Sequence, residues 1–428
     1  MRYIFYLLPW CSLLGTCLAR LRGFQKLSSV DEALQKFLGA AEFLEPKTVS
    51  VPLDKGLNRV LAEIIIAKED VPQVDRSAVD GYAVKAQDVS GASQFRPITL
   101  RLTQRAVVAQ KCARQLWTGN PLPKGTNAVA MLENTKEVDD SIQVWTPLAP
   151  DENVSKKGED IMKGAVAAQA GTRLKPQHLG LLAALGVGKV KIFEKPRIAI
   201  FSTGNEIIEV GSTRQKNQIF DSNRHIISAL CEEMGATPID LGIAKDDSDI
   251  ITEKLRESLT ADATISTGGT SVGGPDLVPE VVNNLGAPGI IVHGIAMRPG
   301  MPTALAIINN RPVMIFPGNP VAAMIAFEVF ARPLIHRMSG LRRMETRPTL
   351  EARITRRITT PLGRRTFVRV RVFRQNSGRL AEPISAKGSS LISTMTKSNG
   401  YTIVPEYREG LEKGEIVVAH MFEAVEET

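Results

Sequence analysis

Carboxylates, hydroxyls and adjacent glycines gather in three short segments: Ser-Thr-Gly-Asn-Glu at 202–206, Lys-Asp-Asp at 245–247, and Thr-Gly-Gly-Thr-Ser-Val-Gly-Gly-Pro-Asp at 267–276. The Gly268-Gly269 pair lets backbone N–H groups come close to an anion, and Thr267, Thr270 and Ser271 add hydroxyl donors, which suits a phosphate or diphosphate. Taken alone the signal is weak, because a strand-to-helix turn needs glycine for its geometry in any case. Glu206, Asp246 and Asp276 would repel one another on neighbouring loops unless a divalent cation or bound ligand satisfied them. A magnesium ion bridging to phosphate oxygens is the economical reading. Helix capping is the plainer use of such acids, and for Asp247 it is the preferred one. The polar segment 75–84, by itself, reads as a turn entering a strand.

These loops need a frame. After Lys195-Pro196 the chain alternates short apolar runs, at 198–201, 238–243, 263–266 and 313–316, with helical stretches, the pattern of a parallel α/β sheet. Loops at the carboxyl ends of such strands form the ligand crevice, so the three segments are expected to converge. Helix starts are legible at Ser222-Asn223 and Asp247-Ser248, and a long apolar helix is expected over 321–338 after Pro317-Gly318-Asn319-Pro320. Elsewhere the spacing predicts an amphipathic helix over 28–43, a small β-rich region over 100–145 and a helix within 171–186. From about residue 346 the chain is strand-like, ending in 415–422.

A chain of 428 residues suggests about three domains. Its 43% hydrophobic and 23% charged residues fit a soluble globular protein. The +8 balance favours anionic partners without choosing among them. Much of the excess lies in arginines between Arg337 and Arg374, which read as solvated strand faces in preference to an anion-binding surface. No helix-turn-helix chemistry or aromatic stacking platform supports a nucleic-acid role. Four cysteines without C-x-x-C pairing and five scattered histidines indicate neither zinc nor a disulfide framework. Residues 1–23 read as an extension from a start assigned too far upstream, with an export signal or anchor as the alternative; no stable membrane span is expected.

Together the motifs resemble the molybdopterin molybdenumtransferases, the MoeA-like proteins also seen as the E domain of gephyrin. The resemblance runs from about Phe24 to the C-terminus and rests on 77–84, Gly158-Glu159-Asp160, 202–206, 267–276, Arg298-Pro299-Gly300-Met301-Pro302 and 316–321. It implies a multidomain α/β plus β protein: a mixed helical and β linker domain (24–67 and 156–193), a small inserted β-rich domain (68–155), a MogA-like parallel-sheet molybdopterin-binding domain (194–341) and a C-terminal β domain (342–428). It further implies a cytoplasmic homodimer that inserts molybdate into adenylylated molybdopterin, with Mg2+-dependent release of AMP, in a cleft completed by the β domain of the other subunit.

Carried over by motif, Asp80, Thr118, Asp160, Glu206, Asp246 and Asp276 form the catalytic set, the last three holding Mg2+. Thr203, Gly204, Thr267, Gly268, Gly269, Ser271, Arg298, Pro317, Pro320, Arg369 and Ser389 contact substrate. Partners would be the pterin adenylyltransferase and the enzymes that receive the cofactor. The sequence departs from the family pattern at Asn205, commonly Asp, at Ser155, commonly basic, and at Arg298 and Met301, where Lys-Pro-Gly-Lys-Pro is usual. Oxyanion binding would then draw on Lys156, Lys157 or Arg298. Two alternatives are a pterin adenylyltransferase-like enzyme, which would lack both the 77–84 segment and the C-terminal domain, and a non-catalytic gephyrin-like scaffold.

Overall fold

The computed structural model describes residues 27–41, 46–269, 277–376, 378–385 and 388–427; the expectation for residues 1–23 lies outside them. The chain divides into two compact units, one of residues 1–47 with 193–428 and one of residues 48–192.

In the first unit the alternating segments become β1 (Arg197–Thr203), α1 (Asn223–Glu233), β2 (Thr237–Ala244), α2 (Ser248–Ser258), β3 (Ala263–Thr267), α3 (Leu277–Leu285), β4 (Pro288–His293), β5 (Ala304–Ile308) and β6 (Arg311–Phe316). They form one sheet in the order β2-β1-β3-β6-β5-β4. The pairings β2/β1, β1/β3 and β3/β6 are parallel, and β3 is buried along its whole length, as a central parallel strand covered on both faces must be. The four strands read from the sequence are the parallel ones, and the sheet is mixed because β5 turns back onto β6 and β4 onto β5, both antiparallel. Asn309 and Asn310, at φ 48° and 64°, make the β5–β6 turn, the two-residue left-handed connection that matches strand twist.

Asp247 caps α2, accepting from the N–H groups of Asp249 and Ile250, the role preferred for it from sequence. The run expected over 321–338 is helical but not uniform: α4 (Pro320–Ala326) widens to a π turn at Phe327–Ala331 before α5 (Arg332–Met338). Pro333 has no N–H to give the turn before it, which explains the widening.

The C-terminal strands β7 (Thr349–Ile354), β8 (Arg365–Gln375), β9 (Gly378–Ser385), β10 (Gly400–Val404) and β11 (Ile416–Met421) run β8-β9-β7-β11-β10, and β10 pairs back onto β8, so the sheet closes into a small barrel. Outside the ring, Met297–Arg298 adds to β8 in parallel, Met297 opposite Arg365 and Arg298 opposite Thr366. One apolar core runs under both sheets of this unit, from Ile198, Phe316 and Phe330 to Phe367 and Tyr401. It also takes Val30, Ala33 and Phe37 of the helix Val30–Ala40, whose Asp31 pairs with Arg365. That packing sets the helix against the core of the α/β sheet.

In the second unit Ala128–Met131, Gly81–Val84, Cys112–Leu116, Ile98–Leu102, Ser141–Val144 and Thr135–Val138 form a six-stranded sheet in that order, over a core that includes Tyr82, Leu100 and Ile142. The helix in 171–186 is confined to Pro176–Ala184 and packs, through Leu182, with Leu61, Leu174 and Ile192. No helix among the described residues is long and apolar enough to cross a membrane.

Candidate functional site

Because β2, β1, β3 and β6 are adjacent and parallel, their carboxyl ends bring the loops at 204–206, 245–247, 268–269 and 317–320 to one edge of the sheet. They border a cleft of about 750 Å³ whose lining includes Thr203, Gly204, Glu206, Asp246, Thr267, Gly268, Gly269, Pro317 and Pro320. The strand tips are tied across the sheet by a 2.9 Å hydrogen bond between the Ser202 and Thr267 hydroxyls. Two loops are clipped reciprocally. The Asn205 N–H donates to the Asp246 carboxylate at 3.1 Å, and the Asp246 N–H donates to Asn205 Oδ1 at 3.2 Å. Asn205, a departure from the family pattern, thereby makes the loop contact without adding a third negative charge beside Glu206 and Asp246.

Glu206 enters a short ladder, its carbonyl accepting from the Ile219 N–H at 2.9 Å while Ile207 and Ile208 pair with Ile219 and Phe220. The ladder ends at Asp221, whose carboxylate is held by the buried Arg224 guanidinium at 2.8 Å. Across the cleft, Asn223 Nδ2 donates to the Gly318 carbonyl at 2.8 Å and secures the 317–320 turn. The local pattern at Asn223 marks a helix start and carries no signal of this contact.

Gly268 and Gly269 have φ of +94° and +69°, and a Cβ at either would press on Thr203, whose buried hydroxyl has no hydrogen-bond partner among the described residues. A close approach of backbone to ligand therefore depends on glycine here. Gly268→Ala is expected to destabilise the protein by about 1–3 kcal/mol; unfolding curves check this, and a wild-type value would count against it.

A second, smaller pocket of about 270 Å³ shares Pro302, Pro317 and Asn319 with the cleft. Arg298, Arg364, Arg369 and Ser389 line it, and among the described residues its lining holds no carboxylate. The strand pairing of Met297–Arg298 with β8 is what brings Arg298 beside the barrel arginines. Arg369 is 1% exposed, donates from Nε to Thr394 Oγ1 at 3.2 Å, and has its pKa pulled below the ordinary arginine value by burial. Ser389 Oγ accepts from Asn319 Nδ2 at 2.9 Å, so the barrel loop of the same chain closes this side of the cleft. Arg364 escaped sequence reasoning, which read the basic stretch as solvated strand.

In the second unit the Asp80 carboxylate accepts from both the N–H and the hydroxyl of Thr118 at 2.7 Å, which holds its pKa below the usual carboxylate range. Asp160 is fixed separately, its N–H donating to the Val71 carbonyl at 3.0 Å. Lys156 pairs with Asp75 and Asp151, and Lys157 with Asp70, whereas Arg298 lines the small pocket. Ser271 and Asp276 lie outside the described residues. Among the described residues no group of three or more His, Cys, Asp or Glu side chains has metal-site geometry. Glu206 and Asp246 nonetheless offer hard oxygen donors in one cleft, and no lysine or arginine among the described residues pairs with either, a donor chemistry that fits Mg2+.

Three family models match in order: the MoeA N-terminal region (domain I and II) over residues 28–186, the probable molybdopterin binding domain over 199–337, and the MoeA C-terminal region (domain IV) over 351–422. A Methanocaldococcus jannaschii protein whose provisional name assigns it to molybdopterin biosynthesis is 38% identical, the match covering 89% of this chain and 94% of that one. The molybdopterin molybdenumtransferase of Bacillus subtilis is 33% identical over 91% of this chain and 92% of its own. The crystal structure of a MoeA molybdopterin biosynthesis protein from Pyrococcus horikosii superposes with a TM-score of 0.76 at 33% identity, covering 93% of this chain and all of that one.

Proposed function

Because the chain belongs to the MoeA family of molybdopterin molybdenumtransferases, we propose that its glycine-floored cleft takes adenylylated molybdopterin and that the arginine-lined pocket beside it takes molybdate. The observation that carries this reading is the adjacency of two unlike sites, an acidic cleft and a pocket lined by arginines, sharing Pro302, Pro317 and Asn319.

In this reading the Gly268-Gly269 backbone and the Thr203 and Thr267 hydroxyls cradle the phosphates, while Pro317 and Pro320 shape the wall opposite. Glu206 and Asp246, with Asp276 by motif, would hold Mg2+, which would neutralise charge on the phosphate oxygens as the pterin–adenylate anhydride breaks and AMP leaves. Arg298 and Arg369 hold the molybdate dianion by charge-assisted hydrogen bonds, with Ser389 as a neutral donor. Asp80, Thr118 and Asp160 join the catalytic set on the family resemblance. The working form is a cytoplasmic homodimer, a reading favoured by the exposed apolar side chains of Ile66 and Val166, paired on one short ladder of the second unit, and of Ile64 just before it; a monomer at micromolar concentration in sedimentation would overturn it.

The decisive assay supplies purified protein with adenylylated molybdopterin, Mg2+ and molybdate. AMP release that requires molybdate, with molybdenum appearing in the pterin, is the expected result. Release that ignores molybdate, or synthesis of the adenylate from ATP, would instead favour an adenylyltransferase-like enzyme. Binding without any release would favour a scaffold.

A further inference from the structure

Behind the acidic cleft, and outside its lining, one buried guanidinium gathers three carboxylates. Arg224, in the first turn of α1, donates from Nε to Asp221 at 2.8 Å and from Nη1 to Asp240 at 2.7 Å, while Nη2 meets Glu209. Asp221 is as buried as the arginine, whereas the Glu209 and Asp240 side chains are 55% and 52% exposed. A planar fork suits such a junction, because its donor directions are fixed relative to one another.

The three acids belong to different parts of the frame around the cleft. Glu209 directly follows Ile207–Ile208, the pair that leads out of Glu206, and Asp221 closes the paired Ile219–Phe220 segment, its own N–H donating to the Ile208 carbonyl at 2.9 Å. Asp240 lies on β2, the strand that runs on into Lys245-Asp246, and it sits at a bulge: Ile200 opposes Asp240 and Ser202 opposes Ile243, so Leu241 and Gly242 together face Phe201. Gly242, at φ +77°, supplies the left-handed residue of the bulge, and its N–H donates to the same Asp240 carboxylate at 2.9 Å. The ladder leading from Glu206 and the strand leading to Asp246 are thus tied through one side chain.

On the reading of Glu206 and Asp246 as Mg2+ donors, we propose that Arg224 is a positioning residue: by holding Glu209 and Asp240 together it sets the spacing of the two cleft carboxylates, and with it the affinity for the cation. Mg2+ demands near-ideal octahedral oxygen geometry, so a small shift of either loop is felt as lost affinity.

Titration calorimetry of the full chain with magnesium chloride in the presence of AMP reads this without turnover. Arg224→Lys, which keeps the charge but replaces the fork by a single ammonium, is expected to weaken Mg2+ binding by about tenfold or more. Glu209→Ala, at an exposed side chain that folding tolerates, cuts the same tie and should weaken binding in the same direction. Glu209→Gln, whose amide oxygen still accepts from Arg224, should stay within about twofold of wild type. Adding Glu209→Ala to Arg224→Lys should cost little more than Arg224→Lys alone, since both break one connection. Lower unfolding midpoints in Arg224→Lys and Glu209→Ala with unchanged Mg2+ affinity would mark a merely structural role and overturn the inference while the cleft reading stands. Equal losses in Glu209→Ala and Glu209→Gln would mark a through-space charge effect and overturn it as well. Wild-type protein that takes up no Mg2+ overturns both.

Discussion

Glu206→Gln is expected to lower molybdate-dependent AMP release by about two to three orders of magnitude and to raise the Mg2+ concentration needed for half-maximal rate, with the fold unchanged. The magnitude is that of weakening the hold on a cation that would neutralise charge on the reacting phosphate oxygens. Folding should survive because the Glu206 side chain is exposed in the cleft and no cationic partner is left behind. Asp246 is a less clean probe, since its carboxylate also accepts the Asn205 N–H and its loss would loosen the loop. Stopped assays across a magnesium series separate the two effects, and an unaltered rate with an unaltered magnesium midpoint would remove Glu206 from the mechanism.

The acidic cleft is legible in the amino-acid sequence because its parts are local. Short apolar runs ending in Ser-Thr-Gly-Asn-Glu, Lys-Asp-Asp and Thr-Gly-Gly mark parallel strand tips, and chain topology alone makes those tips neighbours. The cationic pocket is not legible as a whole, because it depends on a long-range register: Arg298 meets Thr366 only where a two-residue strand adds to β8. Composition cannot separate Arg364 from Arg365 either, although one lines the pocket and the other is held by Asp31 and Glu406.

The same distinction accounts for the fold. Asp247 advertises its cap by an adjacent helical pattern, and the cap is there. The strands β4 and β5 escape a sequence reading because their apolar runs lie among glycines and prolines at 286–303, which break a periodic signal, even though Asn309-Asn310 is a recognisable hairpin turn. Lys156 and Lys157 carry neighbours that composition does not announce: the folded chain sets Asp75, Asp151 and Asp70 beside them.

The largest stability effect should come from Glu328, on the helical run that follows the 317–320 turn. The π turn places its carboxylate, on a residue 8% exposed, against Arg332 Nε at 2.7 Å and Arg347 Nη2 at 2.8 Å; Arg347 also reaches Glu233 at 2.7 Å and lies over the Phe422 ring. The cluster thus joins α1, the long helical run and the segment entering the barrel. Glu328→Gln leaves two largely buried guanidinium groups with Glu233 as their remaining acid, at a cost of about 3–5 kcal/mol. Burial by itself would raise the Glu328 pKa, but hydrogen bonds from Arg347 and Arg332 outweigh it and hold the group below its ordinary 4.5. A depressed carboxylate stabilises the folded state fully above its unfolded value and loses that contribution as pH falls through the folded one. The gap between wild type and Glu328→Gln should therefore stay constant from pH 8 to about 5 and narrow only below the ordinary glutamate range. Urea unfolding followed by circular dichroism is the suitable measurement, because Trp117 and Trp145 lie in the other unit and would report on it. A gap under about 1 kcal/mol at pH 7, the size of an exposed ion pair, would mean that the cluster does not hold this unit together.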